Sequence, residues 1–66
     1  MKLDTRKIKL LMVDHEINQS TLAERCGIAR QNISAMLARG TCSIANVGKI
    51  AKALGVDPAE IVKEEA

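Results

Sequence analysis

The chain has 66 residues, 47% of them hydrophobic, with no Phe, Tyr or Trp, so we expect one small domain over residues 1–66 whose core is aliphatic and helical. The net charge of +2 is too small to define a partner, and two cysteines are too few for a disulfide framework or a zinc site. No apolar run approaches the roughly eighteen residues of a membrane span, and the start "MKLDTRKIK" lacks the features of a secretory signal, so a cytoplasmic protein without a membrane partner is expected.

Two helices are predicted in the first third of the chain. Apolar residues with helical spacing mark the first: Ile8, Leu11, Met12 and, just beyond, Ile17. Asp4 or Thr5 is placed to cap its start, and it runs to about His15. Asn18 precedes "QSTLAERC" as an N-cap, and Gly27 supplies the left-handed residue that ends this short second helix.

Three more helices follow. The third begins after Ile28, buries Ile33, Met36 and Leu37, and ends before Gly40. Ser43 can cap the fourth, which ends at Gly55 and has an apolar stripe of Val47, Ile50, Ala51 and Leu54. Gly48 inside this helix is unfavourable, and a close helix contact would explain it. "DPAEIV" predicts a fifth helix, with Asp57 as N-cap, Pro58 at the first position and Glu60 at the reciprocal capping position.

Charge is distributed unevenly along the chain. No Asp or Glu occurs between Arg25 and Val56, a stretch that contains five cations: Arg25, Arg30, Arg39, Lys49 and Lys52. The tail reverses the balance with Asp57, Glu60, Glu64 and Glu65 against Lys63. Either these residues are ordinary solvated helix surface, or they form one basic face for a polyanion with an acidic end turned away.

The spacing of the second and third predicted helices is that of a helix-turn-helix, at about residues 19–37. In this motif the second helix projects its N-terminal residues into the DNA major groove, while the first crosses the backbone. Arg bonds bidentately to guanine, and Gln or Asn to adenine, so Arg30, Gln31 and Asn32 are candidate base readers. Asn18 and Gln19 lie where the free amides of the second helix can hold a phosphate.

From about Ile8 to Val62 the chain resembles the DNA-binding domains of the Cro/repressor, or XRE, helix-turn-helix family. The resemblance is carried by "NQSTLAERCGIARQNIS" and then by "KIAKALGVDPAEI". It implies an all-α fold, a compact five-helix lambda-repressor-like domain. It also implies sequence-specific binding of double-stranded operator DNA, usually as a homodimer, in transcription regulation, with repression as the expected mode.

The resemblance also assigns site residues. Gln19 is similar to the family's phosphate-contacting glutamine, and the base-facing positions are Arg30, Gln31, Ser34 and Ala35. Arg39 and Thr41 are further candidates for backbone contact, in a segment that lacks the family's common proline and has its glycine one residue later. For dimerisation, the segment from Leu54 through the fifth helix, including Val56 and Val62, is the candidate surface.

Two departures from the family pattern concern stability. Ala29 stands where the recognition helix often has a Ser or Thr N-cap, which costs about 1 kcal/mol unless another group caps the helix. Met12 and Leu37 replace the family's frequent Arg and Glu pair, and since both are apolar, no buried charge is left unpaired. The two side chains are therefore expected to touch.

Other classes of function remain open at this point. The same fold serves as a protein-binding module, such as an antitoxin-like or anti-repressor partner. A thiol sensor would use Cys26 or Cys42, although a buried hydrophobic role is the ordinary one for a free cysteine such as Cys26. His15 has no accompanying ligand cluster, and no arrangement of catalytic residues is recognisable, so we expect no enzyme activity, cofactor or metal.

Overall fold

The computed structural model describes residues 1–63, and within them the chain forms four α-helices and one 3₁₀ helix. The α-helices are α1 (Thr5–Asp14), α2 (Gln19–Cys26), α3 (Arg30–Arg39) and α4 (Ile44–Leu54). The 3₁₀ helix covers Pro58–Glu60. Glu64 and Glu65 of the predicted acidic tail lie outside the described residues. None of the helices described combines the length and the apolar character that crossing a membrane requires.

Local side-chain caps begin three of the four α-helices at the predicted residues. The N-cap oxygens of Asp4, Asn18 and Ser43 accept from the backbone N–H three residues later, over 3.1, 2.9 and 3.3 Å. These bonds satisfy amides that the first helical turn leaves without an intrahelical partner. At α3, Ala29 provides no side-chain cap. The predicted lack of a side-chain cap at Ala29 is therefore confirmed.

The predicted fifth helix is wrong in length and type. Asp57 caps as expected, with its Oδ1 2.9 Å from the Ala59 amide, but only the three-residue 3₁₀ helix follows. It closes when the Ile61 amide donates to the Pro58 carbonyl at 3.2 Å. An α-helix does not continue because Ile61 turns fully into the core and Val62 forms an antiparallel bridge with Leu3.

The segment before α1 is part of the folded structure, which the helical pattern did not predict. Its backbone lies between the end of α3 and the segment after the 3₁₀ helix. Leu3 donates to the Gly40 carbonyl at 2.7 Å, and Asp4 donates to the Ile61 carbonyl at 2.8 Å. The Leu3 side chain is 3% exposed and belongs to the core. This segment therefore ties the two ends of the described chain to the α3–α4 connector.

One aliphatic core joins all four α-helices and the two flanking segments. Its fully buried side chains are Ile8, Leu22, Ile33, Ile50, Leu54 and Ile61. Gly48 does not take part in it. A Cβ added at Gly48 would meet nothing within 4 Å, so the expected close helix contact is absent from the described part of the chain. The reason is position, because Gly48 lies on the exposed side of α4.

Candidate nucleic-acid interface

A tight turn sets the angle between α2 and α3. Gly27 ends α2 in the left-handed conformation, with φ 68° and ψ 30°, which glycine adopts at little steric cost. The Ile28 amide then donates to the Ala23 carbonyl at 3.0 Å, which closes the helix end. Ala23 is buried and Ile28 packs on the core, so small and apolar side chains hold the turn against the domain. The result is a helix-turn-helix over the predicted residues.

One face of helix α3 is buried in the core, and the opposite face is exposed. Ile33, Met36 and Leu37 are buried, as their spacing predicted. Met36 is also fixed from α4, because the Asn46 Nδ2 atom lies 3.5 Å from its Sδ atom. With its inner face anchored in the core, α3 is a rigid element, and its outer edge has a defined orientation relative to α2.

The outer edge of α3 brings three of the predicted base readers together. Arg30, Gln31 and Ser34 line one shallow concavity of about 260 Å³. Each is exposed, and within residues 1–63 their side chains have no hydrogen-bond or ion-pair partner. Asn32 and Ala35 are exposed on the same helix but do not line this concavity. The donors and acceptors at the start of α3 are thus available to a ligand.

The start of α2 carries the two residues predicted to contact a phosphate. Asn18 Oδ1 accepts from both the Thr21 amide and the Thr21 hydroxyl, at 2.9 and 3.1 Å. This oxygen is committed to the cap, which leaves the Asn18 NH₂ group as its donor to a ligand. Gln19 is the first residue of α2 and is half-buried. The cap therefore fixes the backbone beside Gln19 and limits what Asn18 can offer.

Arg39 and Thr41 lie apart from the concavity at the start of α3. They line a second one of about 300 Å³ beside the α3–α4 connector. Lys2 and Lys63 line it too. Sequence reasoning missed these two lysines, because long-range backbone pairing, including the bridges from Lys2 to Thr41 and from Leu3 to Val62, brings the segments that carry them to this connector. No local pattern signals them.

The five cations between Arg25 and Val56 line three different concavities. Arg25, Lys49 and Lys52 line a third concavity, of about 530 Å³, beside Cys26. Arg30 and Arg39 belong to the two others. Of the two alternatives that the charge distribution left open, this division among three concavities favours ordinary solvated helix surface for most of the cations.

Neither cysteine has the environment of an activated thiol. Burial raises the pKa of the Cys26 thiol above its ordinary 9.0, although the charge of Lys49 opposes the shift. Burial also raises the pKa of Cys42, against the charge of the terminal amino group. The Cys26 Sγ lies 3.7 Å from the Lys49 carbonyl oxygen, to which it donates. Reactive thiols have lowered pKa values, so these surroundings favour the buried hydrophobic role for Cys26.

The fold and this exposed helix edge define a helix-turn-helix domain, and comparison with known families agrees. Residues 7–66 match the model of the Cro/C1-type HTH DNA-binding domain, and the chain belongs to that family. Its structure is similar to the restriction-modification controller protein C.AhdI from Aeromonas hydrophila. The TM-score is 0.74 at 29% identity, and the match covers 85% of this chain and 86% of C.AhdI.

Two structures of PhpD show the same fold at lower identity. Native PhpD with cadmium has a TM-score of 0.82 at 20% identity, and PhpD with cadmium and hydroethylphosphonate has 0.81 at 20%. The match covers 100% of this chain but only 14% of the PhpD chain. It therefore concerns the fold of a small part of PhpD. No curated protein matches the chain.

Proposed function

We propose that this protein is a sequence-specific transcription regulator that represses by occupying operator DNA as a homodimer. The N-terminal half of α3 enters the major groove in this proposal. One observation carries it: Arg30, Gln31 and Ser34 are exposed together, without partners among residues 1–63, on the second helix of a helix-turn-helix. The chemistry of these side chains matches the donors and acceptors that base edges present in that groove.

Base reading and backbone positioning fall to different residues. Arg30, Gln31, Asn32, Ser34 and Ala35 supply the base-facing edge, with Ala35 available for apolar contact with a thymine methyl group. Gln19 and the Asn18 NH₂ group hold a phosphate at the start of α2, where free amides favour an anion. Arg39 and Thr41 contact the backbone from the α3–α4 connector. Contacts to the DNA backbone fix the position of the protein along the duplex, while contacts to the bases determine which sequence is preferred.

The small number of base pairs that one copy can contact favours a homodimer. One recognition helix reads only a few base pairs, too few to mark a site among the competitors in a genome. Two copies related by a two-fold axis double that sequence and require an inverted repeat. A regulatory role is supported by similarity to C.AhdI, a restriction-modification controller protein.

Selection of bound sequences from a random duplex pool tests the proposal directly. The enriched sequences should contain an inverted repeat with half-sites about 34 Å apart, which is one turn of the duplex. Affinity for the selected duplex should fall with salt, with a slope in log–log form of about −0.9 for each phosphate contacted.

Two results would contradict the proposal. If the selection enriches no sequence and all duplexes bind with equal, weak affinity, the protein is not a sequence-specific regulator. If the selected site lacks inverted symmetry and is saturated by one copy of the protein, the homodimer part of the proposal is wrong and the DNA-binding part stands. Complete absence of DNA binding would instead favour the protein-binding module.

A further inference from the structure

Three extended segments meet beside the end of α3, and their register places Lys2 between two other residues. Antiparallel bridges pair Lys2 with Thr41 and Leu3 with Val62. One step on from the second bridge, the Lys63 amide donates to the Lys2 carbonyl at 3.1 Å. Lys2 therefore lies opposite Thr41 on one side and opposite Lys63 on the other.

This pairing brings three side chains to one face. Side chains of residues directly opposite each other in an antiparallel pair project to the same side. Those of Thr41, Lys2 and Lys63 are all exposed, and all line the concavity of about 300 Å³ beside the α3–α4 connector. Arg39, in the last turn of α3, is exposed and lines it too. Cations from three separate segments of the chain thus meet at one concavity.

The lining of this concavity suits a phosphate group. Among the described residues that line it, none is Asp or Glu. Asp4, two residues after Lys2, caps α1 by accepting from the Lys7 amide and does not line the concavity. Thr5 and Thr41 add hydroxyl groups to the lining. Cations combined with hydroxyl donors are the groups that proteins use to contact the phosphates of DNA.

Folding alone does not account for this arrangement of charge. Like charges directly opposite each other destabilise an antiparallel pair, so the pairing of the two segments does not explain lysine at both positions 2 and 63. Within residues 1–63 the side chains of Arg39 and Lys63 have no hydrogen-bond or ion-pair partner. A negatively charged ligand in the concavity would convert the same arrangement into a favourable one.

The position of the concavity relates it to the proposed DNA surface. A helix rises 1.5 Å per residue, so Arg39 lies about 13 Å along α3 from Arg30. The major groove is about 12 Å wide. With the N-terminal half of α3 in the groove, the other end of the helix is about one groove width away. The concavity then faces the sugar-phosphate backbone that borders the groove.

We propose that Lys2 and Lys63 bind a backbone phosphate of the operator together with Arg39. This inference rests on the proposed function and adds to its DNA surface two residues from outside the helix-turn-helix. Both lysines are positioning residues, because a phosphate contact carries no sequence information. They reach the same phosphate because backbone pairing fixes their segments against the end of α3.

Lys2→Gln and Lys63→Gln test the inference, and Lys52→Gln is the matched control. The control removes the same charge at the separate concavity beside Cys26. Titration of selected and unselected duplexes over a range of salt concentrations measures affinity and its salt dependence. Each test variant should weaken binding to all duplexes about threefold or more. It should also reduce the log–log salt slope by about 1 and leave the preferred sequence unchanged, whereas Lys52→Gln should keep the wild-type slope.

Duplexes with one backbone phosphate at a time replaced by a neutral methylphosphonate locate the contact. At one position in each half-site, neutralisation should weaken wild type about threefold or more but should not weaken Lys63→Gln further. Gln31→Ala should remain as sensitive as wild type at that position, because Gln31 lines a different concavity. Loss of coupling for the lysine variant alone identifies a direct contact rather than a change in net charge.

The outcomes separate this inference from the proposed function. If wild type binds the selected duplex, but both test variants keep its affinity and salt slope or Lys52→Gln loses as much, the inference is wrong and the proposed function stands. If wild type binds no duplex, both fail. The thermal midpoint of Lys63→Gln should at least equal that of wild type, since the change removes one of two opposed like charges. A weaker affinity in that variant is then not caused by unfolding.

Discussion

The Leu3 amide donates to the Gly40 carbonyl across 2.7 Å, which fastens the segment before α1 to the end of α3. Gly40 ends α3 in the left-handed conformation, so this contact is made where the chain turns towards α4. The Leu3 side chain is buried beneath it. The segment before α1 therefore supports the position of α3, although it belongs to no helix.

Leu3→Ala should lower the free energy of unfolding by about 2 to 4 kcal/mol, because it leaves a cavity in the core. Leu10→Ala is the control, since Leu10 is 62% exposed and should change stability by less than about 0.5 kcal/mol. Urea unfolding followed by circular dichroism measures both. Equal, small effects would show that Leu3 does not pack in the core.

Gln31→Ala should change the preferred operator sequence and cost about 1 to 3 kcal/mol on the best wild-type site. Gln19→Ala should weaken binding to all duplexes by a similar factor, because a phosphate contact carries no sequence information. Repeating the selection with each variant separates the two roles. An unchanged preference for Gln31→Ala would show that this side chain reads no base.

Met12 and Leu37 are both buried in the core cluster, at 8% and 7% exposure, which makes their predicted contact testable. Leu37→Glu should destabilise the protein by roughly 3 kcal/mol or more, because it buries an unpaired charge. Met12→Arg combined with Leu37→Glu should recover part of this loss by forming an ion pair. Urea unfolding of both single variants and the double variant completes the cycle. Strictly additive losses would exclude the contact.

A side-chain cap at position 29 should stabilise α3. Ala29→Asn and Ala29→Asp should each raise the free energy of unfolding by about 1 kcal/mol, since both side chains cap well. Only Ala29→Asp adds a negative charge close to the proposed DNA surface, so its affinity for the selected duplex should be at least about tenfold weaker than that of Ala29→Asn. Unfolding curves and duplex titrations provide the two measurements. Equal affinities would place DNA away from the start of α3.

Alkaline pH should destabilise the protein through its thiols. Burial raises the folded-state pKa of Cys26 above 9.0, so its contribution is complete below the unfolded-state value and is lost as pH rises through the folded-state value. The unfolded chain then binds fewer protons, and the free energy of unfolding falls above about pH 9.0. Cys26→Ala should flatten this decline in urea unfolding measured at a series of alkaline pH values. An unchanged decline would assign it to other groups.

The amino-acid sequence by itself determined the four α-helices, their capping residues and the exposed edge of α3. These features depend on interactions within a few residues: Asn18 with Thr21, the left-handed turn at Gly27, and the helical spacing of apolar side chains such as Ile33. A local pattern is sufficient to predict them because the physical cause is local. The candidate base readers Arg30 and Gln31 were found for the same reason.

Only the tertiary structure decided how distant segments meet. The backbone pairing of Leu3 with Val62 shortened the predicted fifth helix and brought Lys2 and Lys63 to the α3–α4 connector. Packing also left Gly48 open to solvent and grouped Ile44 with the 3₁₀ helix in one apolar groove. Hydrogen bonds and contacts between residues far apart in the chain leave no periodic signal in the sequence. They depend on how the helices pack around the shared core, and that packing places them.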